Sequence, residues 1–179
     1  MKRLLIAVSL FSTLFVLPAQ AAEPAAKLDG KAAFEKLKAL AGEWEGQAGH
    51  GKQKMPAAVT WRVASGGNAV METLFPGTDH EMISMYYLKR NELVMTHYCA
   101  MGNQPRMKLD VARSNAGELH FAFDGGENLD PAKDAHIHSG VIRVKGNGAV
   151  EADWAMWNGG KEAGQTRFVL QRKSAAAKN

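Results

Sequence analysis

Residues 59–75 read VTWRVASGGNAVMETLF. Val59, Trp61 and Val63 alternate with Thr60 and Arg62, the period of two that marks an extended strand with one face in a core. The cluster Ser65-Gly66-Gly67-Asn68 supplies turn residues, and pairing back through it sets Val70, Glu72 and Leu74 on that same face, with Glu72 opposite Trp61. The unit is a hairpin with one carboxylate turned inward.

The pattern repeats along the chain. Short runs rich in Val, Trp, Tyr, Phe and Met are separated by turn clusters at 75–79 (FPGTD), 89–92 (KRNE), 114–118 (SNAGE), 145–148 (KGNG) and 158–164 (NGGKEAG). About ten strands in sequential hairpins result. Only AAFEKLKALAG, residues 32–42, has helical spacing, with Phe34, Leu37, Leu40 and Ala41 on one side and Gly42 as its stop. Ten antiparallel strands behind one helix would expose two sheet edges unless the sheet closed on itself or folded into a sandwich, and closure is the simpler answer. The expected fold is all-β: an antiparallel up-and-down barrel with a short N-terminal helix, one domain over residues 32–173.

The flanks read differently. Residues 1–21 combine Lys2 and Arg3, an apolar run from Leu4 to Leu17 and an Ala-Gln-Ala cleavage pattern, the layout of a secretory signal. The run is shorter than the ~20 residues a spanning helix needs, so a soluble protein in the periplasm or beyond is expected rather than an integral membrane protein. Residues 22–31 read as a linker and 174–179 as a disordered tail. Removing Lys2 and Arg3 lowers the net charge from +4 to +2 with no basic stripe, which argues against nucleic acid as a partner. Cys99 is the single cysteine, so an oxidising compartment offers it no intramolecular partner and the fold must rest on apolar burial.

Leu40-Ala41-Gly42-Glu43-Trp44 resembles the Gly-x-Trp opening of the first strand in lipocalins and related calycin barrels. The resemblance implies a barrel around a ligand cavity and an arginine from the last strand packed over the tryptophan, for which Arg167 or Arg172 is available. Bacterial members of that superfamily include nitrobindin-like haem barrels.

Alternation then sorts the interior. With Arg90-Asn91 as a two-residue turn, Leu88 faces Leu93, Tyr86 faces Met95, Ser84 faces His97 and Met82 faces Cys99. This hairpin is apolar on both sides, and the Leu88/Met95/His97 side is taken as inward. Met107, Leu109 and Val111 form one core set, and Leu119, Phe121 and Phe123 another. In AHIHSGVIRVK the charged Arg143 and Lys145 put Ile142 and Val144 inside, and with them Gly140, His138 and His136. Trp154 and Met156, then Phe168 and Leu170, complete the wall.

Residues expected to line a binding cavity are Trp61, Glu72, Met82, Tyr86, Met95 and Trp154, with Asn103, Gln104 and Arg106 at a polar corner of its mouth. That corner also reads as a Pro-containing turn whose side chains cap backbone groups. His136 and His138 stand about 6.5 to 7 Å apart along a strand, and with His97 and either Cys99 or Glu72 they could complete a zinc-like shell. They read also, and more simply, as satisfied or rim histidines. A Met-rich and aromatic interior with one inward histidine also suits haem, although no Cys-x-x-Cys-His attachment is present. No Gly-x-Ser-x-Gly elbow or phosphate loop appears, so catalysis has no motif behind it. The expected function is binding of a small, mainly apolar molecule. The alternatives are a metal-dependent enzyme in which Glu72 moves a proton, and an envelope module with a filled core.

Overall fold

The structure, a computed structural model, describes residues 28–174. The expected signal over 1–21, most of the linker and nearly all of the tail lie outside the described residues. The helix α1 spans Gly30–Lys38 and starts two residues before the domain boundary expected at 32. Asp29 sets that start: its Oδ1 accepts from the Ala32 backbone N–H at 2.8 Å, satisfying one of the free donors of the first turn. Gly30 is required there because a Cβ would overlap the Asn91 carbonyl of a neighbouring turn.

Ten strands follow among the described residues: β1 (Gly42–His50), β2 (Gln53–Ala64), β3 (Ala69–Leu74), β4 (Met82–Lys89), β5 (Glu92–Tyr98), β6 (Gln104–Leu109), β7 (Glu118–Glu127), β8 (His136–Lys145), β9 (Ala149–Asn158) and β10 (Lys161–Arg172). Each pairs antiparallel with its neighbours in sequence, and β1 pairs with β10, so the sheet closes into an up-and-down barrel. The expected registers hold. Trp61 stands opposite Glu72, Ser84 opposite His97, Tyr86 opposite Met95 and Leu88 opposite Leu93 across an Arg90-Asn91 turn. The Met82–Cys99 pair lies just beyond the ladder, which ends at Ile83–Tyr98, yet the two sulfurs approach to 4.0 Å.

Each connection alternates ends, which gives the barrel a lower end, holding Gly42, Ala64 and Arg172, and an upper end, holding His50, Tyr98 and His136. Helix α1 closes the lower end. Phe34 and Leu37 are buried against the strands, and the side chain of Trp44 lies beneath them with its Nε1 donating to the Leu40 carbonyl at 2.8 Å. The Arg172 guanidinium sits 4.4 Å from the Trp44 ring and donates to the carbonyls of Ala39 and Ala41 at 2.9 and 2.6 Å. Arg172, not Arg167, covers the tryptophan; Arg167 lies on the outer face against Glu151 at 2.9 Å.

Two core expectations fail at strand ends. Val63 is 38% exposed at the lower rim, and Val111 is 46% exposed because β6 stops at Leu109 and a turn follows. The upper end departs further from regularity. Register shifts fall between Pro105 and Met107, between Ile137 and Ser139, and between Glu162 and Gly164, all in its half of the barrel. Such bulges insert an extra residue and turn the side chains beyond it to the other face.

Candidate functional site

The upper half encloses a cavity of about 730 Å³, within the range of small-molecule pockets. Its walls are mostly apolar: Met82, Met95, Met156, Leu74, Phe75, Phe168 and Ile137 contribute, and Met55 stands at the rim. Polar groups are few. His50, Gln53, Lys54 and His80 edge the mouth, Cys99 and Thr166 lie in the wall, and His97 and Trp154 face the deeper part.

The inner face of β2 to β5 places Trp61, Glu72, Ser84 and His97 in one row, each opposite the next across a ladder. All four are at most 3% exposed. The Ser84 hydroxyl lies 3.0 Å from His97 Nδ1, and the Tyr86 hydroxyl donates to Glu72 Oε2 at 2.8 Å. Burial pushes the Glu72 carboxyl up to about 7, against the opposing pull of the hydroxyls of Tyr86 and Ser84. It pushes the His97 imidazole down to about 4, so that ring is neutral at physiological pH. Tyr86 is driven well above the usual phenol range by burial and by the neighbouring carboxylate.

Two buried polar atoms on residues of the cavity wall have no hydrogen-bond partner among the described residues: His97 Nε2 and Trp154 Nε1. Trp154 owes its position to Gly140, directly opposite on β8, where a Cβ would overlap the indole. An unpaired buried polar group costs roughly 1–3 kcal/mol. Trp61 Nε1, Asn103 Oδ1 and His120 Nδ1 are unpartnered away from the wall, so it is the seat of His97 and Trp154 on the apolar wall that makes their atoms candidates to meet a ligand.

Of the expected lining residues, Met82, Met95 and Trp154 reach the cavity, as do His97 and Cys99 from the expected metal set. Trp61, Glu72 and Tyr86 are buried beneath it rather than in its wall; Trp61 stacks on Tyr86 with ring centroids 5.5 Å apart. Asn103, Gln104 and Arg106 belong to a corner outside the cavity wall, where Asn103 Oδ1 is buried without a partner among the described residues. Asn103 donates to the Ala135 carbonyl at 2.8 Å, Gln104 accepts from Asn128 at 2.9 Å, and Arg106 pairs with Asp124 at 3.2 Å. The 130–134 segment forms a single helical turn closed by Asp134 N–H to Asp130 C=O at 2.7 Å and docks on Gly159, away from the cavity wall.

His136 and His138 take a different place from the one alternation assigns. The bulge between Ile137 and Ser139 turns Ile137 into the cavity and leaves the two histidines packed with Phe123 and Trp157. There His136 Nδ1 donates to the Asp134 carbonyl at 2.8 Å, and His136 Nε2 lies 3.0 Å from His138 Nδ1. The two rings satisfy each other. Among the described residues no group of three or more His, Cys, Asp or Glu side chains is placed to hold a metal ion, so the shared shell of His97, Cys99, His136 and His138 does not assemble. Of the three histidines, only His97 lines the cavity where haem would need an axial ligand.

Sequence reasoning passed over Ile137, Phe75, Phe168, Met156 and Ser84 as site residues. The signal for Ile137 was available: it is the one aliphatic residue between two histidines and the only one of the three suited to an apolar wall. A scan against protein-family models and a search of curated proteins find no match to this chain.

Proposed function

We propose that this protein is an exported carrier or sensor of a small, mainly apolar molecule, held in the upper cavity of a calycin-like barrel. Support for the binding reading comes above all from one observation: a wall of methionine, phenylalanine and isoleucine in which two lining residues, His97 and Trp154, carry buried, unpartnered polar atoms. Methionine suits such a wall because its flexible, polarisable side chain adapts to irregular apolar shapes. The lipocalin-like reading is supported by the Gly42-x-Trp44 opening with Arg172 over the ring, and the exported location by the sequence of residues 1–21.

Native mass spectrometry of protein released gently from the cell envelope tests the proposal. The expected spectrum carries an additional small-molecule mass that disappears in Ala48→Phe, a substitution that fills the cavity from β1 while circular dichroism remains that of a β-barrel. A spectrum of bare protein, combined with no binding of any apolar probe, would count against it.

A further inference from the structure

We propose that the cavity selects a neutral, apolar-bodied molecule carrying a hydroxyl or N–H donor, which it gives to His97 Nε2, and that Glu72 sets this acceptor through Ser84. The inference rests on the binding reading above and names the chemical class of its ligand.

Ser84 has a single hydroxyl proton and stands across from both Glu72 and His97. When Glu72 is ionised it accepts from Tyr86 at 2.8 Å and attracts the Ser84 proton as well. The Ser84 oxygen, 3.0 Å from His97 Nδ1, then has only lone pairs to offer, so Nδ1 carries the imidazole proton. In the neutral ring that leaves Nε2 as a bare acceptor. This atom is on a residue 3% exposed, lacks any partner among the described residues, and belongs to a side chain in the cavity wall. An apolar molecule without a donor would leave it unsatisfied. Trp154 Nε1 is a donor only and adds a place for a ligand acceptor, so a hydroxyl can serve either atom.

The same inventory disfavours charge. The titratable groups facing the cavity are Lys54, His50 and His80 at the mouth and Cys99 in the wall, with Glu72 and Tyr86 behind His97. Among the described residues the lysine that lines the cavity stands on the strand end at its mouth, and Glu72 stands behind the deep wall with the wrong sign to meet a carboxylate.

A matched set of bicyclic probes tests the claim: 2-naphthol (donor), 2-methoxynaphthalene (acceptor only), naphthalene and 2-naphthoate (anion), each titrated by calorimetry at pH 8. The expected result is about tenfold tighter binding of 2-naphthol than of 2-methoxynaphthalene or naphthalene, the size of one buried hydrogen bond, with 2-naphthoate weakest. In His97→Phe that preference should vanish while naphthalene still binds. Glu72→Gln is the sharper variant. Its amide N–H₂ donates to Ser84, which sends the hydroxyl proton to His97 Nδ1 and leaves Nε2–H as a donor. The preference for 2-naphthol over 2-methoxynaphthalene should then vanish, because either oxygen accepts from Nε2–H while naphthalene cannot, and the Nε2 ¹⁵N resonance should move from the unprotonated to the protonated type, a change that loss of packing alone would not cause. Equal binding of the neutral probes with no response to either variant, or tightest binding of 2-naphthoate, would overturn this inference and leave the cavity reading intact. Failure of all four probes would overturn the cavity reading itself.

Discussion

The two ends of the barrel each hold a buried tryptophan, and they treat it in opposite ways. At the lower end Trp44 donates to Leu40, lies under Arg172 and is sealed by α1. At the upper end Trp154 is equally buried, yet its indole N–H has no partner and its ring borders a cavity. The strands of the lower half are paired without interruption, whereas all three register shifts fall in the upper half. Uninterrupted pairing, the helix plug and the Arg172 contacts mark the end that holds the molecule together, although Trp61 Nε1 and His120 Nδ1 are buried without a partner in that half too. Bulges and an open apolar wall mark the end available for function.

The largest expected effect separates the ends by stability. Phe34→Ala removes a 3% exposed ring from under the helix and should cost about 4 kcal/mol. Met156→Ala deletes a side chain that already borders the cavity, and should cost less than about 1 kcal/mol in the same urea titration because little packing is lost. Equal losses would erase the contrast.

Next comes the buried acid behind the upper wall. Because Glu72 is raised from 4.5 to about 7, the folded state holds its proton more tightly than the unfolded chain, and this group's contribution is present below pH 4.5 and lost as pH rises through 7. His97, depressed from 6.5 to about 4, acts oppositely: its contribution is present above pH 6.5 and lost as pH falls through 4. Each amounts to about 3 kcal/mol, so between pH 4.5 and 6.5 the two slopes nearly cancel. Glu72→Gln should therefore stabilise the protein at pH 8 by up to about 3 kcal/mol and unmask a rise in stability from pH 4 to 6.5. His97→Phe should unmask the opposite slope. Urea midpoints measured across pH check both signs.

A smaller effect is expected at Gly140→Ala, which would push the Trp154 ring from its seat and cost about 2 kcal/mol, with a change in tryptophan emission. The smallest distinction lies at the lower end. Arg172→Ala loses two hydrogen bonds to carbonyls and a cation–π contact, about 1–2 kcal/mol, whereas Arg167→Ala removes an exposed pair and should change stability by less than about 0.5 kcal/mol.

The same contrast governs what could be read from sequence. Strict alternation in 59–75 and a two-residue turn at Arg90-Asn91 gave the registers of β2 with β3 and of β4 with β5, whereas the β3–β4 pairing that brings Glu72 beside Ser84 joins strands across a longer loop and is seen only in the structure. Alternation failed at His136 and His138 because a bulge reverses parity without any change in the pattern of residue types. The corner at 103–106 resisted for another reason: a polar turn that satisfies its own backbone and one that greets a ligand have the same composition, and only the contacts to Ala135, Asn128 and Asp124 tell them apart. The rim residues His50 and His80 gather through the closure of distant strand ends, which no local period encodes.

The most direct measurement is methyl NMR of the protein labelled at methionine, titrated with 2-naphthol. The methyl resonances of Met82, Met95 and Met156, all in the cavity wall, should shift together and saturate at one equivalent, while that of Met107, buried outside the wall, stays in place. Shifts confined to Met107, or no saturable shift at any methionine, would contradict a ligand cavity at the upper end.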